Sequence, residues 1–151
     1  MSDARPARRN AQTVSDPGRG DCFRSCLTSI LGVAPDATLP DGGDPEFFRK
    51  YDAWLTSFGL AMHYEPRAMW RRGLWIASVP SLNYPGVTHA IVMDGDEVAF
   101  DPSPLQRRAE GESLLGKGVV RAGWYIEVVD ASKLHVLVEA QEAARRAEHL
   151  P

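Results

Sequence analysis

The sequence is short of cysteine: of its 151 residues only Cys22 and Cys26 are cysteine, four positions apart. Two thiols on neighbouring turns of one helix are badly placed for a bridge. No disulfide framework is expected, and a reducing, cytoplasmic setting fits better. Long apolar runs are missing as well. None approaches the roughly 18 residues of a membrane span, so no membrane partner is expected. The first ten residues are polar and Arg-rich without an apolar core, and are not expected to act as a secretory signal. Nor does one sign of charge dominate. A formal net charge of -3 argues against nucleic acid as the main partner. Internal repeats and low-complexity segments are absent.

What is present suits one compact domain: 44% of the residues are hydrophobic and 25% charged. Residues 1–11 read as a disordered arm and residues 12–151 as a single domain. A loop of turn residues, Asp16-Pro17-Gly18-Arg19-Gly20, leads to a helix that starts near Cys22. Phe23, Cys26, Leu27, Ile30 and Leu31 repeat at the spacing of one buried helical face. Asp21 is expected to cap that helix and Gly32 to end it in a left-handed turn. A second helix is predicted from about Pro45 to Phe58, with an aromatic stripe of Phe47, Phe48, Tyr51, Trp54 and Phe58 read as core, and with Gly59 as its stop.

Strands are predicted at Leu60–Tyr64, Leu74–Val79, Val87–Met93, Glu97–Phe100 and Val119–Val129. The second of these is nearly all apolar and therefore central. Asp94-Gly95 marks a hairpin. Leu105–Lys117 reads as a mixed connection with at most one helical turn. Lys133–Leu150 reads as a helix at its Ala/Glu/Arg-rich end, although Leu134–Val138 also fits a strand. Helices first and an antiparallel sheet after them make an α+β domain.

Three residue types point to chemistry. Cys22 lies in the first turn of its helix, where the partial positive charge of the N-terminus favours a thiolate. A thiolate nucleophile needs a proton shuttle, which histidine supplies near neutral pH, and a carboxylate holds the ring in the right tautomer. His89 and Asp101 are in suitable order for those tasks. The oxyanion formed during acyl transfer needs donors, for which the Cys22 N–H and the Gln12 side-chain amide are candidates. His89 and Asp101 are twelve apart. They face each other directly across the hairpin only if its centre is Gly95, which needs a three-residue turn or a bulge. That register also puts Ala90, Val92, Val98 and Phe100 on one apolar side.

Each residue taken singly has a plainer reading: Cys22 as a small core residue, His89 as a satisfied strand histidine, Asp101 as a turn opener before Pro102, Gln12 as surface. Zinc on Cys22, Cys26 and His89 matches known ligand spacings poorly. Asp94, Asp96 and Glu97 lack the twelve-residue loop of a calcium site. His63, His135 and His149 have no partners nearby in sequence. No metal or cofactor is expected. Arg67, Arg71 and Arg72 read either as a patch for an acidic substrate or as a solvated face.

Three segments together resemble the papain-like cysteine peptidase superfamily, in particular its small bacterial and phage members and the bacteriocin-processing branch. They are Gln12 with Gly20-Asp21-Cys22 and its helix; Trp75–Pro80 into Gly86–Val92; and Val98–Pro102, with Trp124-Tyr125 as a weaker echo. The resemblance implies Cys22 as nucleophile, His89 as general base and acid, Asp101 as orienting residue and Gln12 as oxyanion donor. It implies a Cys-bearing helix packed on an antiparallel sheet that carries His and Asp. The chain departs from it in Phe23, where many relatives have glycine or tryptophan, and in a longer gap between Gln12 and Cys22.

The function expected is a cysteine hydrolase acting on a peptide or protein substrate. Phe23, Trp70, Trp75 and the Pro80–Gly86 loop are candidate cleft walls. A thiol acyltransferase, a catalytically silent binding module and a regulatory subunit docking through the Arg-rich arm or the 139–151 helix are the alternatives.

Overall fold

A computed structural model describes residues 8–13, 20–67 and 70–148. In chain order it contains α1 (Cys22–Leu31), α2 (Phe47–Ser57), β1 (Leu60–Glu65), β2 (Leu74–Pro80), β3 (Thr88–Asp94), β4 (Glu97–Phe100), β5 (Ala122–Val128), a 3-10 turn (Ala131–Lys133) and α3 (Leu134–Glu148). The five strands form one antiparallel sheet in the order β1-β5-β2-β3-β4. The fold is α+β.

Alternation along β2 divides the core. Ile76 faces the helices, together with Ala90, Val92 and Phe100 and the apolar sides of α1 and α2. Trp75, Ala77 and Val79 face the other way and pack with Ile91, Met93, Val98, Leu114 and Val120. A strand buried on both faces needs a continuous apolar run, which is why 74–79 carries one. The second face is covered by the irregular connection between β4 and β5, where Leu114 is buried. That connection forms no helix.

Helix α1 is buried almost all round, beyond the single stripe that its apolar spacing predicts. Ser25, Thr28 and Ser29 on its other side are buried, and the Thr28 and Ser29 hydroxyls donate back to the carbonyls of Arg24 and Ser25. Asn10 covers this polar side. Its backbone N–H donates to Ser29 Oγ at 2.9 Å, and its side-chain amide donates to Thr28 Oγ1 and the Val33 carbonyl, both at 3.0 Å. Arg8 N–H donates to the Ser29 carbonyl. Ordered chain therefore begins before Gln12. Of the expected disordered arm, Arg8 and Asn10 are hydrogen-bonded to the end of α1, while 1–7 lie outside the described residues, as do most of the 16–20 loop and His149. Gly32 ends α1 at φ 72°, as expected.

Helix α2 ends at Ser57 with Phe58 as its C-cap, and the chain turns at Gly59, where φ is +77° and a Cβ would lie 2.0 Å from the Asp130 carbonyl oxygen. Only glycine fits that approach. The 134–138 stretch is helical, and its Leu134, Val136 and Leu137, with Ala140 beyond it, pack against the helical side of the core.

The hairpin differs from expectation in one respect. Asp94 pairs with Glu97, Met93 with Val98, and then Val92 with Phe100, so Ala99 is a bulge. The bulge breaks alternation, and Val98 and Phe100 are buried on opposite faces rather than on one. It also shifts register away from the direct His89–Asp101 pairing. Continued, the register would set Ile91 opposite Asp101.

Candidate active site

Asp101 is the first residue beyond β4, and His89 is the second residue of β3. They meet diagonally across the end of the hairpin, with His89 Nε2 2.7 Å from Asp101 Oδ1. The Asp101 carboxylate also takes the N–H of Ser103 on Oδ1 at 3.0 Å and the N–H of Arg108 on Oδ2 at 2.8 Å. Burial alone would raise the Asp101 pKa. The hydrogen bond from His89, the Arg108 N–H, the His89 charge and the Ser103 N–H outweigh it and hold the carboxyl below its ordinary value.

Cys22 is the first residue of α1, and α1 packs across β3 and β2. The Ala90 N–H donates to Cys22 Sγ at 3.4 Å, which fixes the thiol beside the start of β3. Burial would lower the His89 pKa, but its hydrogen bonds to Asp101 and to Cys22, with the charges of both, raise it to about 9. With Nε2 taken by Asp101, Nδ1 is the nitrogen left for the thiol. Cys26 is one helical turn on and fully buried, and burial pushes its thiol well above the ordinary value, with the Cys22 and Asp101 charges adding to the effect. The two cysteines are free and occupy unlike environments.

Gln12 is buried at the same place. Its backbone N–H donates to the Pro102 carbonyl at 2.8 Å, next to Asp101, while Thr13 N–H donates to the Asp21 carboxylate, next to Cys22. Asp21 does not cap α1 with its side chain, against expectation. Its carboxylate instead takes Thr13 and the Arg24 guanidinium.

Gln12, Cys22, His89 and Ala90 line a cleft of about 520 Å³. One wall is aromatic: Phe47, Phe48 and Trp124, backed by Phe23. Phe23 is a hub, with its ring 5.2 Å edge-to-face from each of Phe47, Tyr51 and Trp124. Pairs of this kind contribute about 1 kcal/mol each beyond burial, so the residue after Cys22 ties α1 to α2 and β5. The opposite wall is polar and comes from Ser81, Asn83 and Tyr84 of the β2–β3 loop with Ser103 and Leu105. Asn83 laces these two loops, donating to Ser103 Oγ and the Gln106 carbonyl and accepting from the Gln106 N–H.

Phe23 and the 80–86 loop thus line the cleft, and Trp75 and Trp70 do not. Trp75 belongs to the opposite face of the sheet because it alternates with Ile76, and Trp70 packs on it edge-on at 6.1 Å. Phe47 and Phe48 were legible only as core, since a helical aromatic stripe does not reveal that one end of it is open, and Trp124 only as a strand residue. Arg67, Arg71 and Arg72 are away from the cleft, and Arg71 stacks on the Tyr125 ring at 3.6 Å. Among the described residues no group of three or more His, Cys, Asp or Glu is arranged to hold a metal ion. No helix among them is long and apolar enough to cross a membrane.

Comparison with family models, with curated proteins and with solved structures finds no match to this chain.

Proposed function

We propose that this protein is a papain-like cysteine hydrolase that cuts an amide bond in a peptide or protein chain. The observation that carries the reading is one histidine hydrogen-bonded to a buried carboxylate, in the wall of an open cleft that it shares with the thiol that starts α1.

In this mechanism the one proton that Cys22 and His89 share is carried by His89, and the Cys22 sulfur attacks the substrate carbonyl carbon. A C–S bond forms, and the carbonyl electron pair moves to oxygen. The Gln12 side-chain amide and the Cys22 N–H stabilise that oxyanion. Its collapse breaks the C–N bond, and His89 passes the proton to the departing amine. A water, deprotonated by His89, then attacks the thioester, the C–S bond breaks, and acid and thiol are restored. The leaving amine takes its proton from His89, so it occupies the side of the cleft walled by Ser81, Asn83 and Leu105. The acyl side then runs along Phe47, Phe48 and Trp124. A reducing compartment such as the cytoplasm suits a site that depends on a free thiol.

The test is iodoacetamide labelling of Cys22 across pH 5–9, located by peptide mass spectrometry, in the wild type and His89→Ala. A thiol–imidazole pair gives labelling that persists at acid pH and slows by about tenfold at pH 6 in His89→Ala. A rate that follows an ordinary thiol and ignores His89 would sink the proposal and leave a binding role for the cleft.

A further inference from the structure

Asp21 stands where a carboxylate ordinarily caps a helix, yet its side chain turns from the first-turn amides of α1. It is 3% exposed. Its two oxygens take the Thr13 N–H at 3.0 and 3.2 Å, and Oδ2 takes the Thr13 hydroxyl at 2.6 Å. Arg24 Nη2 approaches the same oxygen at 3.1 Å, and Arg24 is itself anchored on the Leu39 carbonyl at 2.6 Å. Through its backbone Asp21 starts α1, its carbonyl accepting from Ser25 N–H at 3.0 Å. One residue therefore grips both the helix that begins at Cys22 and the segment that carries Gln12.

We infer that Asp21 is a positioning residue, which with Thr13 sets the Gln12 amide against Cys22. The inference rests on the hydrolase reading above, in which Gln12 is an oxyanion donor. Gln12 is held from both sides: its own N–H is bonded to the Pro102 carbonyl, and the next residue is clamped by Asp21. That fixes the donor relative to the His89–Asp101 side and to the nucleophile together. It also makes the number of residues between Thr13 and Gly20 unimportant to the geometry. A gap of ten between Gln12 and Cys22 is then compatible with the same site.

The inference separates two reactions of one thiol. Alkylation by iodoacetamide is a direct displacement and builds no oxyanion. Acylation by p-nitrophenyl acetate builds one, and needs the donor in place. The measurement is the ratio of the acylation rate to the alkylation rate at Cys22, at fixed pH, in the wild type, Gln12→Ala, Asp21→Ala, Thr13→Val and Thr13→Ser. Thr13→Val leaves the Asp21–Arg24 pair intact, so it tests the clamp without leaving a partly buried arginine unpaired. Gln12→Ala and Asp21→Ala are each expected to lower the ratio about tenfold or more. Thr13→Val lowers it severalfold, and Thr13→Ser, which keeps the hydroxyl, restores it.

A ratio that falls in Gln12→Ala but not in Asp21→Ala or Thr13→Val would overturn the clamp and leave the hydrolase reading standing. A ratio indifferent to Gln12→Ala would overturn the clamp too, because there would be no donor to position. A Cys22 that reacts with neither reagent above the rate of a free thiol would overturn the hydrolase reading, and the clamp with it.

Discussion

His89 Nε2 lies 2.7 Å from an Asp101 carboxylate that two backbone amides already hold in place. The ring is oriented by a fixed acceptor, and its proton is held more tightly than in water, up to about pH 9. Asp101→Asn removes the charge while leaving an acceptor of the same shape. The His89 pKa in that variant is expected to fall by one unit or more, read from the imidazole resonances in an NMR titration. An unchanged titration would mean that the pair is not coupled.

The same shift makes stability depend on pH. The ordinary value is 6.5 and the folded value about 9, so the folded state holds the proton more tightly. The stabilisation is complete below pH 6.5 and is lost as pH rises through about 9, a difference of about 3 kcal/mol at most. Asp101 has the opposite sign. Its contribution is present above the ordinary carboxyl value and is lost as pH falls through its lowered one. Urea denaturation at pH 6 and pH 9.5 is expected to show the alkaline loss in the wild type and to show most of it removed in His89→Gln.

The sheet and α1 were legible in the sequence because alternation, helical spacing and Gly32 all agree there. The meeting of His89 and Asp101 was only half legible. Residue types and order gave the pair, but the hairpin register predicted from Gly95 is not the one found, because the turn is Gly95-Asp96 and the bulge at Ala99 shifts the pairing one residue further. The contact survives since Asp101 leaves the strand and is carried by its own loop, which no period describes. Trp75 was misread for the opposite reason. A strand buried on both faces gives no sign of which face an aromatic residue joins.

Cys22 and Cys26 are expected to separate cleanly in a labelling experiment. Cys26 is fully buried, with its thiol pushed well above 9 by that burial, and reacts through the thiolate only when the fold opens. In the native protein iodoacetamide is expected to modify Cys22 alone, and in 6 M guanidinium both. Equal native labelling of the two would contradict the packing of α1 on the sheet.

Gly59→Ala tests the junction between α2 and β1. The substitution demands a left-handed alanine and drives its Cβ into a backbone carbonyl, that of Asp130, which Gly59 already ties in place by accepting the Val129 and Asp130 N–H groups. A loss of about 2 kcal/mol or more is expected, from strain plus the displaced carbonyl. A change within 0.5 kcal/mol in chemical denaturation would show that the turn is not built as described.

Phe48 offers the most direct test of the aromatic wall. It is 49% exposed and packs on Phe47 at 5.1 Å and on Trp124 at 6.3 Å, so its ring is supported but one face is open to the cleft. Truncation to alanine removes little core and is expected to change stability by less than about 1 kcal/mol. On the proposed hydrolase reading, a substrate whose acyl side carries an aromatic residue is expected to rest on that face in the ground state and in the transition state alike. Losing it therefore raises KM by roughly tenfold, with kcat nearly unchanged. Leu105→Ala, on the opposite wall, is expected to act on substrates that differ in the leaving amine instead. If both variants raise KM for the same substituent, the two sides of the cleft have been assigned the wrong way round. If kcat falls with KM constant in Phe48→Ala, the wall acts on the geometry of the reacting centre rather than on binding.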